Sequence, residues 1–149
     1  KKGWLFRYHH IFRDFLKAKS KERVSEEERH TLFLKAGILY EQRNELENAV
    51  KYFLEAKDYP RAVPIIEQLG MELLSKGRRS DLSQWISTLP NEIIQENPWL
   101  LLYQSMVQPY SMGTETVGSL EKAYKLFKRR EEIRGILLSV APSVTVSLA

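Results

Sequence analysis

The sequence predicts an all-α chain built from antiparallel helix pairs stacked into a superhelix of about eight helices, and three observations carry that prediction. Apolar residues recur three and four positions apart through most of the 149 residues, which is the period of a helix with one buried face. The 7 glycines and 6 prolines are few and fall mostly at breaks in that period, where helices join. Small residues, Gly37 and Ala49, sit beside large Tyr40 and Phe53 in a helix pair of the length that recurs about every 30 to 40 residues in a helical solenoid.

The segment Gly3-Trp4-Leu5-Phe6-Arg7-Tyr8-His9-His10-Ile11-Phe12-Arg13-Asp14-Phe15-Leu16 opens with alternation at Trp4, Phe6 and Tyr8 and continues with helical spacing at Ile11, Phe12, Phe15 and Leu16. A short extended piece followed by a helix to about Lys21 is expected. Ser25 and Glu28 form a Ser-x-x-Glu capping pattern, so a helix opens near Glu26, runs through Leu32, Phe33, Ala36, Leu39 and Tyr40, and ends at Arg43-Asn44. The next spans Glu47 to Ala56 with Ala49, Val50, Phe53 and Leu54 on one side. Asp58 as cap and Pro60 in the first turn start a further helix carrying Ala62, Ile65, Ile66, Leu69, Leu73 and Leu74, with Pro64 able to bend or delay its start. Gly77 ends it.

Ser80 or Asp81 is expected to cap the helix whose buried face is Leu82, Trp85, Ile86 and Leu89, and Pro90 stops it. Asn91 to Gln95 make a short helical turn, Pro98 starts the next helix, and Trp99 to Val107 is strongly apolar. Gln108 to Thr116 has no period and reads as the longest loop. Leu120, Ala123, Tyr124 and Phe127 restore helical spacing, Ile133, Ile136, Leu137 and Val140 give a last helix, and Pro142 to Ala149 reads as a fragment of a further element.

From His30 onward, Phe33, Ala36, Gly37, Tyr40, Ala49, Phe53 and Ala56 stand in the order of a tetratricopeptide repeat, with Pro60 one place short of its closing proline. The resemblance implies that Gly37, Tyr40, Ala49, Phe53 and Ala56 define the repeat core, small residues at the helix crossing and rings around it. Leu120, Ala123 and Phe127 repeat the second-helix face, with Trp99 to Val107 as partner helix. The fold class is therefore a tetratricopeptide-like α-α superhelix.

No apolar run reaches the roughly 18 residues of a membrane span, and the start lacks a secretory core, so no membrane association is expected. With no cysteine there is neither disulfide nor thiolate chemistry, which fits a cytoplasmic location. The net charge of +4 is uneven, with eight Lys or Arg in residues 1 to 23 against Asp14 and Glu22. Such a basic end is more often a solvated face than a phosphate contact.

A narrower resemblance follows from Trp4 to Leu16, which looks like the Arg-Tyr-His-His-Leu-Phe segment of MalT-like, LuxR-type transcriptional regulators of the signal-transducing NTPase class. Leu82-Ser83-Gln84-Trp85-Ile86-Ser87-Thr88-Leu89-Pro90 is similar to that family's leucine–tryptophan–leucine-proline helix, and Asn97-Pro98-Trp99-Leu100-Leu101-Leu102 to its proline-plus-leucine helix. The resemblance implies that residues 1–23 end a winged-helix-like segment and that 24–149 form the helical repeat region. It further implies a parent with an ATP-binding core and a distant DNA-binding domain. No Gly-x-x-x-x-Gly-Lys-Ser/Thr loop and no helix-turn-helix reader lies within this chain, so no cofactor and no direct DNA binding are expected of it.

No enzyme active site, catalytic residue or metal site is expected. Adjacent His9 and His10 would point about 100° apart on a helix, His30 stands alone, and Glu26, Glu27 and Glu28 suit a helix N-terminus. Lys128-Arg129-Arg130 and Arg78-Arg79 suit helix ends better than an anion site, and Trp85, Trp99 and Tyr103 read as core. First helices line the concave surface of a tetratricopeptide unit, making Lys35, Ile38 and Gln42 the candidate interaction surface.

Two functions remain in view. One is a non-catalytic signal-sensing segment of a MalT-like regulator, whose partners are other domains of the parent and a peptide or small-molecule inducer. The other is a self-standing peptide-binding scaffold, which would carry polar caps. The start at Lys1 without Met and the apolar end at Ser147-Leu148-Ala149 favour the first.

Overall fold

The computed structural model describes residues 25–108 and 113–146. Among them are eight helices: α1 (Glu26–Gln42), α2 (Leu46–Glu55), α3 (Tyr59–Ser75), α4 (Arg79–Thr88), α5 (Asn91–Glu96), α6 (Pro98–Val107), α7 (Gly113–Arg129) and α8 (Ile133–Val146). The expected extended piece and first helix, His9-His10 and the basic end lie outside the described residues. Successive helices pack on one another from α1 to α4, α4 passes over the short α5 to reach α6, and α7 and α8 follow in turn. Further contacts join α2 to α4, α3 to α6 and α6 to α8. The helices therefore stand in two rows, α1, α3, α6 and α8 against α2, α4 and α7, which is the arrangement of an all-α helical repeat.

One turn, used four times, builds the joints. Asn44, Lys57, Gly77 and Glu131 all take left-handed backbone, with φ of 59°, 55°, 73° and 57°. The amide after each donates to a carbonyl five residues back, Glu45 to Tyr40, Asp58 to Phe53, Arg78 to Leu73 and Glu132 to Phe127, at 2.8 to 3.1 Å. Orphan carbonyls at each helix end are thereby satisfied. The residue that accepts is in every case buried in the core, so the turn and the packing are fixed together. In the first three joints the donor residue, Glu45, Asp58 or Arg78, is also the cap of the next helix, which explains why these joints are only three residues long.

Only Gly77 takes this backbone without a Cβ penalty, and Asn44 tolerates it; Lys57 and Glu131 do not. Replacing either Lys57 or Glu131 with glycine is expected to stabilise the fold by about 0.5–1 kcal/mol, the relief of left-handed strain less the added chain entropy. A urea midpoint that rises with unchanged slope checks it; a lower midpoint contradicts the turn geometry.

At the crossings, glycine lies beneath an aromatic ring. A Cβ at Gly37 of α1 would fall 2.5 Å from the Phe53 ring of α2, one at Gly70 of α3 2.3 Å from Tyr103 of α6, and one at Gly135 of α8 2.2 Å from Phe127 of α7. Each ring thus rests on bare backbone, which lets helices approach more closely than any side chain would permit. Gly37, Tyr40, Ala49, Phe53 and Ala56 are all buried together, so the residues chosen from the repeat pattern do form one packed unit. Tyr40 stacks on Tyr52 at 5.3 Å with the planes 4° apart. Ala123 and Phe127 are fully buried likewise.

Local signals place most helix starts. Glu28 N–H donates to the Ser25 hydroxyl and Ser25 N–H to the Glu28 carboxylate, each 3.2 Å, completing the expected capping box. Asn97 Oδ1 accepts from the amides of Trp99 and Leu100 at 3.0 and 3.1 Å, with Pro98 in the first turn. Pro64 neither bends nor delays α3 enough to move its start from Tyr59; it is exposed and removes one bond early in the helix.

Three expectations are corrected. The cap of α4 is Arg78, and Ser80 and Asp81 lie inside its first turn, because the left-handed turn at Gly77 sets the start. Residues from Gly113 onward, expected in a loop reaching Thr116, belong to α7. Once Leu120, Ala123 and Phe127 anchor that helix, extending it adds one bond per residue fixed. Pro109 to Met112 lie outside the described residues. Pro142 does not begin a separate fragment, since α8 runs to Val146, and 147–149 lie outside. The last helix expected from Ile133, Ile136, Leu137 and Val140 is present as α8; Ile136 packs against the core, Ile133, Leu137 and Val140 face outward at 73%, 66% and 41% exposure, and Gly135 and Ser139 are buried. Small residues win the inward face because only they admit the Phe127 ring.

Candidate functional site

Two surfaces compete for the role of site, one expected from the repeat pattern and one that the pattern did not reveal. Lys35 and Gln42 are exposed on α1, and Ile38 between them is half-buried, packed against the core. They share one helix face, at spacings of three and four.

The other surface is a cleft of about 410 Å³ lined by Asn91 and Gln95 of α5, Gln104 of α6 with Gln108 just beyond it, and Gly118, Ser119 and Lys122 of α7. Asn91 and Gln95 stand four residues apart, as do Gln104 and Gln108, and Gly118 and Lys122. The α5 and α7 sides of the cleft are therefore each one stripe of a helix, with residues repeating at about 6 Å along the axis, whereas Gln108 stands on extended backbone past the end of α6. The Lys122 ammonium donates to Gln95 Oε1 at 2.7 Å, tying α7 to α5 across it. The volume falls within the range of about 300–1,000 Å³ typical of ligand sites, but the lining is polar where most are apolar. Carboxamides both donate and accept, so the wall suits a ligand that does the same.

Helix α6, which supplies Gln104 to the cleft, is tied to α3 by hydrogen bonds. Tyr103 OH donates to the Glu67 carbonyl at 2.8 Å, and the Asn97 amide donates to the Glu67 carboxylate. Burial pushes the Tyr103 hydroxyl up to about 12, so it stays a donor at any physiological pH. Trp99 packs edge-on to Phe127 at 5.0 Å and donates its indole N–H to Glu132 Oε2 at 2.9 Å. Among the residues weighed as a groove or a core, Tyr103 is core and Trp85 and Trp99 are half-buried against it.

Arg78 is not available to an external anion. Its guanidinium donates to both oxygens of Glu47 at 2.7 and 2.8 Å and to Asp81 at 2.7 Å, joining the first turns of α2 and α4 across one repeat step. These hydrogen bonds hold the Glu47 carboxyl below the usual glutamate range. A depressed carboxyl contributes stability that is present above its ordinary value and lost as the pH falls through the folded one. Melting temperature should therefore drop on acidification through about pH 4, and drop less in Glu47→Gln. Parallel acid profiles for the two chains would remove the clamp from the account.

Among the described residues no three His, Cys, Asp or Glu side chains come together to hold a metal ion, and none of the helices is long and apolar enough to cross a membrane. His30 is exposed. The cleft had one legible signal, the paired carboxamides four residues apart, which a search for titratable chemistry passes over.

Comparison with known proteins gives one informative likeness. Over 126 residues, 84% of this chain, the sequence is 25% identical to the HTH-type transcriptional regulator MalT of Vibrio parahaemolyticus serotype O3:K6 (strain RIMD 2210633). The chain spans 14% of that protein's length. No family model matches, and no solved structure matches. The likeness supports a helical region associated with a transcriptional regulator.

Proposed function

We propose that this chain is a non-catalytic helical-repeat segment of a MalT-like, LuxR-type transcriptional regulator, coupling inducer or partner binding to an NTPase core and a DNA-binding domain outside it. The observation that carries the reading is the likeness to the Vibrio regulator across 84% of the chain, in a segment whose order of elements also fits the family resemblance. A stacked repeat suits such coupling. Each helix pair touches only its neighbours, so a ligand that shifts one crossing moves the next.

ATP belongs to the parent in this reading, and the segment meets other domains of the same chain and a peptide or small inducer in the cytoplasm. A test uses the parent gene in a reporter strain. Excising residues 26–146 in frame should leave the regulator on its DNA and abolish the response of transcription to inducer. A response of normal size without the segment would overturn the assignment.

A further inference from the structure

Four of the glycines in the described helices and joints are accounted for by the fold. Gly37, Gly70 and Gly135 each carry a ring, and Gly77 supplies a left-handed turn. Gly118 does neither. It lies inside α7, its φ is not left-handed, and a Cβ there would meet nothing within 4 Å. A helix-interior glycine costs about 1 kcal/mol relative to alanine, and here no packing repays it. Gly118 lines the polar cleft. A bare backbone at that point leaves room for a ligand's own backbone to come close.

The geometry points to the cleft between α5, α6 and α7 as a docking site for an extended peptide segment carrying an acidic residue, recognised through its main chain. Carboxamides four residues apart on a helix repeat at about 6 Å, and same-facing residues of an extended chain repeat at about 6.7 Å. Asn91 with Gln95 can thus pair with alternate peptide units, the amide N–H₂ donating to a carbonyl and the amide oxygen accepting an N–H; Gln104 on α6, and Gln108 on the extended backbone just past it, add two further carboxamides to the lining. Ser119 adds a hydroxyl. Lys122 supplies the one cation of the lining, placed to exchange its bond to Gln95 for a carboxylate of the ligand.

Other ligand classes fit less well. Sugars are commonly held against aromatic faces, and no aromatic side chain lines this cleft. A polyphosphate needs more than one cation. The inference rests on reading the chain as an interaction segment, and it does not depend on which parent carries it.

The test is a titration of the isotope-labelled 149-residue chain, followed by NMR, with a capped nonapeptide of alternating Thr and Ser around one Asp. Expected are saturable shifts at the Gly118 amide and the side-chain amides of Gln95, Gln104 and Gln108. N-methylation of alternate peptide bonds should weaken binding about tenfold or more. Gly118→Leu fills open space, so it should fold, show a higher melting temperature and lose the binding. Lys122→Gln should keep the binding but lose the preference for Asp over Asn. No saturable shift, equal affinity for the methylated peptide, or undiminished binding in a folded Gly118→Leu would each overturn the proposal, as would saturation by a linear oligosaccharide and not by the peptide. The titration is blind to the parent's architecture, so its failure leaves the regulator reading standing.

Discussion

Phe127→Ala is expected to cost about 4 kcal/mol, within the usual range of about 3–5 for a buried phenylalanine. The ring is fully buried, meets Trp99 edge-on and roofs Gly135 of α8. Its backbone carbonyl also accepts the Glu132 amide in the left-handed turn that launches α8. Removing the ring opens a cavity between three helices at once, and α8 keeps only partly buried apolar contacts such as those of Ile136 and Leu138, with Ile133 and Leu137 both facing solvent. Because a stacked repeat is a near sum of neighbour interfaces, the loss should be local. Hydrogen exchange should show α7 and α8 losing protection while α2 and α3 keep theirs. Uniform loss across all helices would mean that the chain folds as one cooperative globule.

Gly70→Ala comes second, at about 3 kcal/mol, the upper part of the range for an overpacked core. The new methyl would lie 2.3 Å from the Tyr103 ring. That ring cannot swing aside. It is 1% exposed and its hydroxyl is tied to the Glu67 carbonyl one turn away on α3. Helices α3 and α6 must therefore separate, and with them the two halves of the repeat. Shortening the ring in the same background, as Gly70→Ala with Tyr103→Leu, should recover at least about 1 kcal/mol relative to additive single changes. Additivity would show that the glycine and the ring do not meet. Urea unfolding of the four chains decides it.

These crossings also show what the sequence disclosed and what it withheld. Gly37 and Phe53 were legible because they sit in a repeat pattern with several residues in register. The pairs at Gly70 with Tyr103 and at Gly135 with Phe127 follow the same physics, yet the first joins residues 33 apart without the pattern around it, and in the second only Phe127, with Leu120 and Ala123, carries the pattern while Gly135 does not. Ser25 with Glu28 announced its helix through a reciprocal pair of hydrogen bonds, and Asp58 with Pro60 through the fixed backbone of a first-turn proline, the Asp58 side chain making no capping bond. The joints at Lys57 and Glu131 gave no such sign, since neither residue favours left-handed backbone and only the core on either side imposes it. On α8 the apolar spacing announced the helix but not which face turns inward, where small Gly135 and Ser139 are buried and Ile136 packs against the core. The cleft needed three helices folded together before its carboxamides met.

The gene around this segment tests the functional account most directly. Sequencing outward in both directions should find a Gly-x-x-x-x-Gly-Lys-Ser/Thr phosphate loop in the upstream reading frame and a helix-turn-helix domain in the downstream one. A frame that closes without either would contradict the regulator reading and leave a self-standing tetratricopeptide-type scaffold.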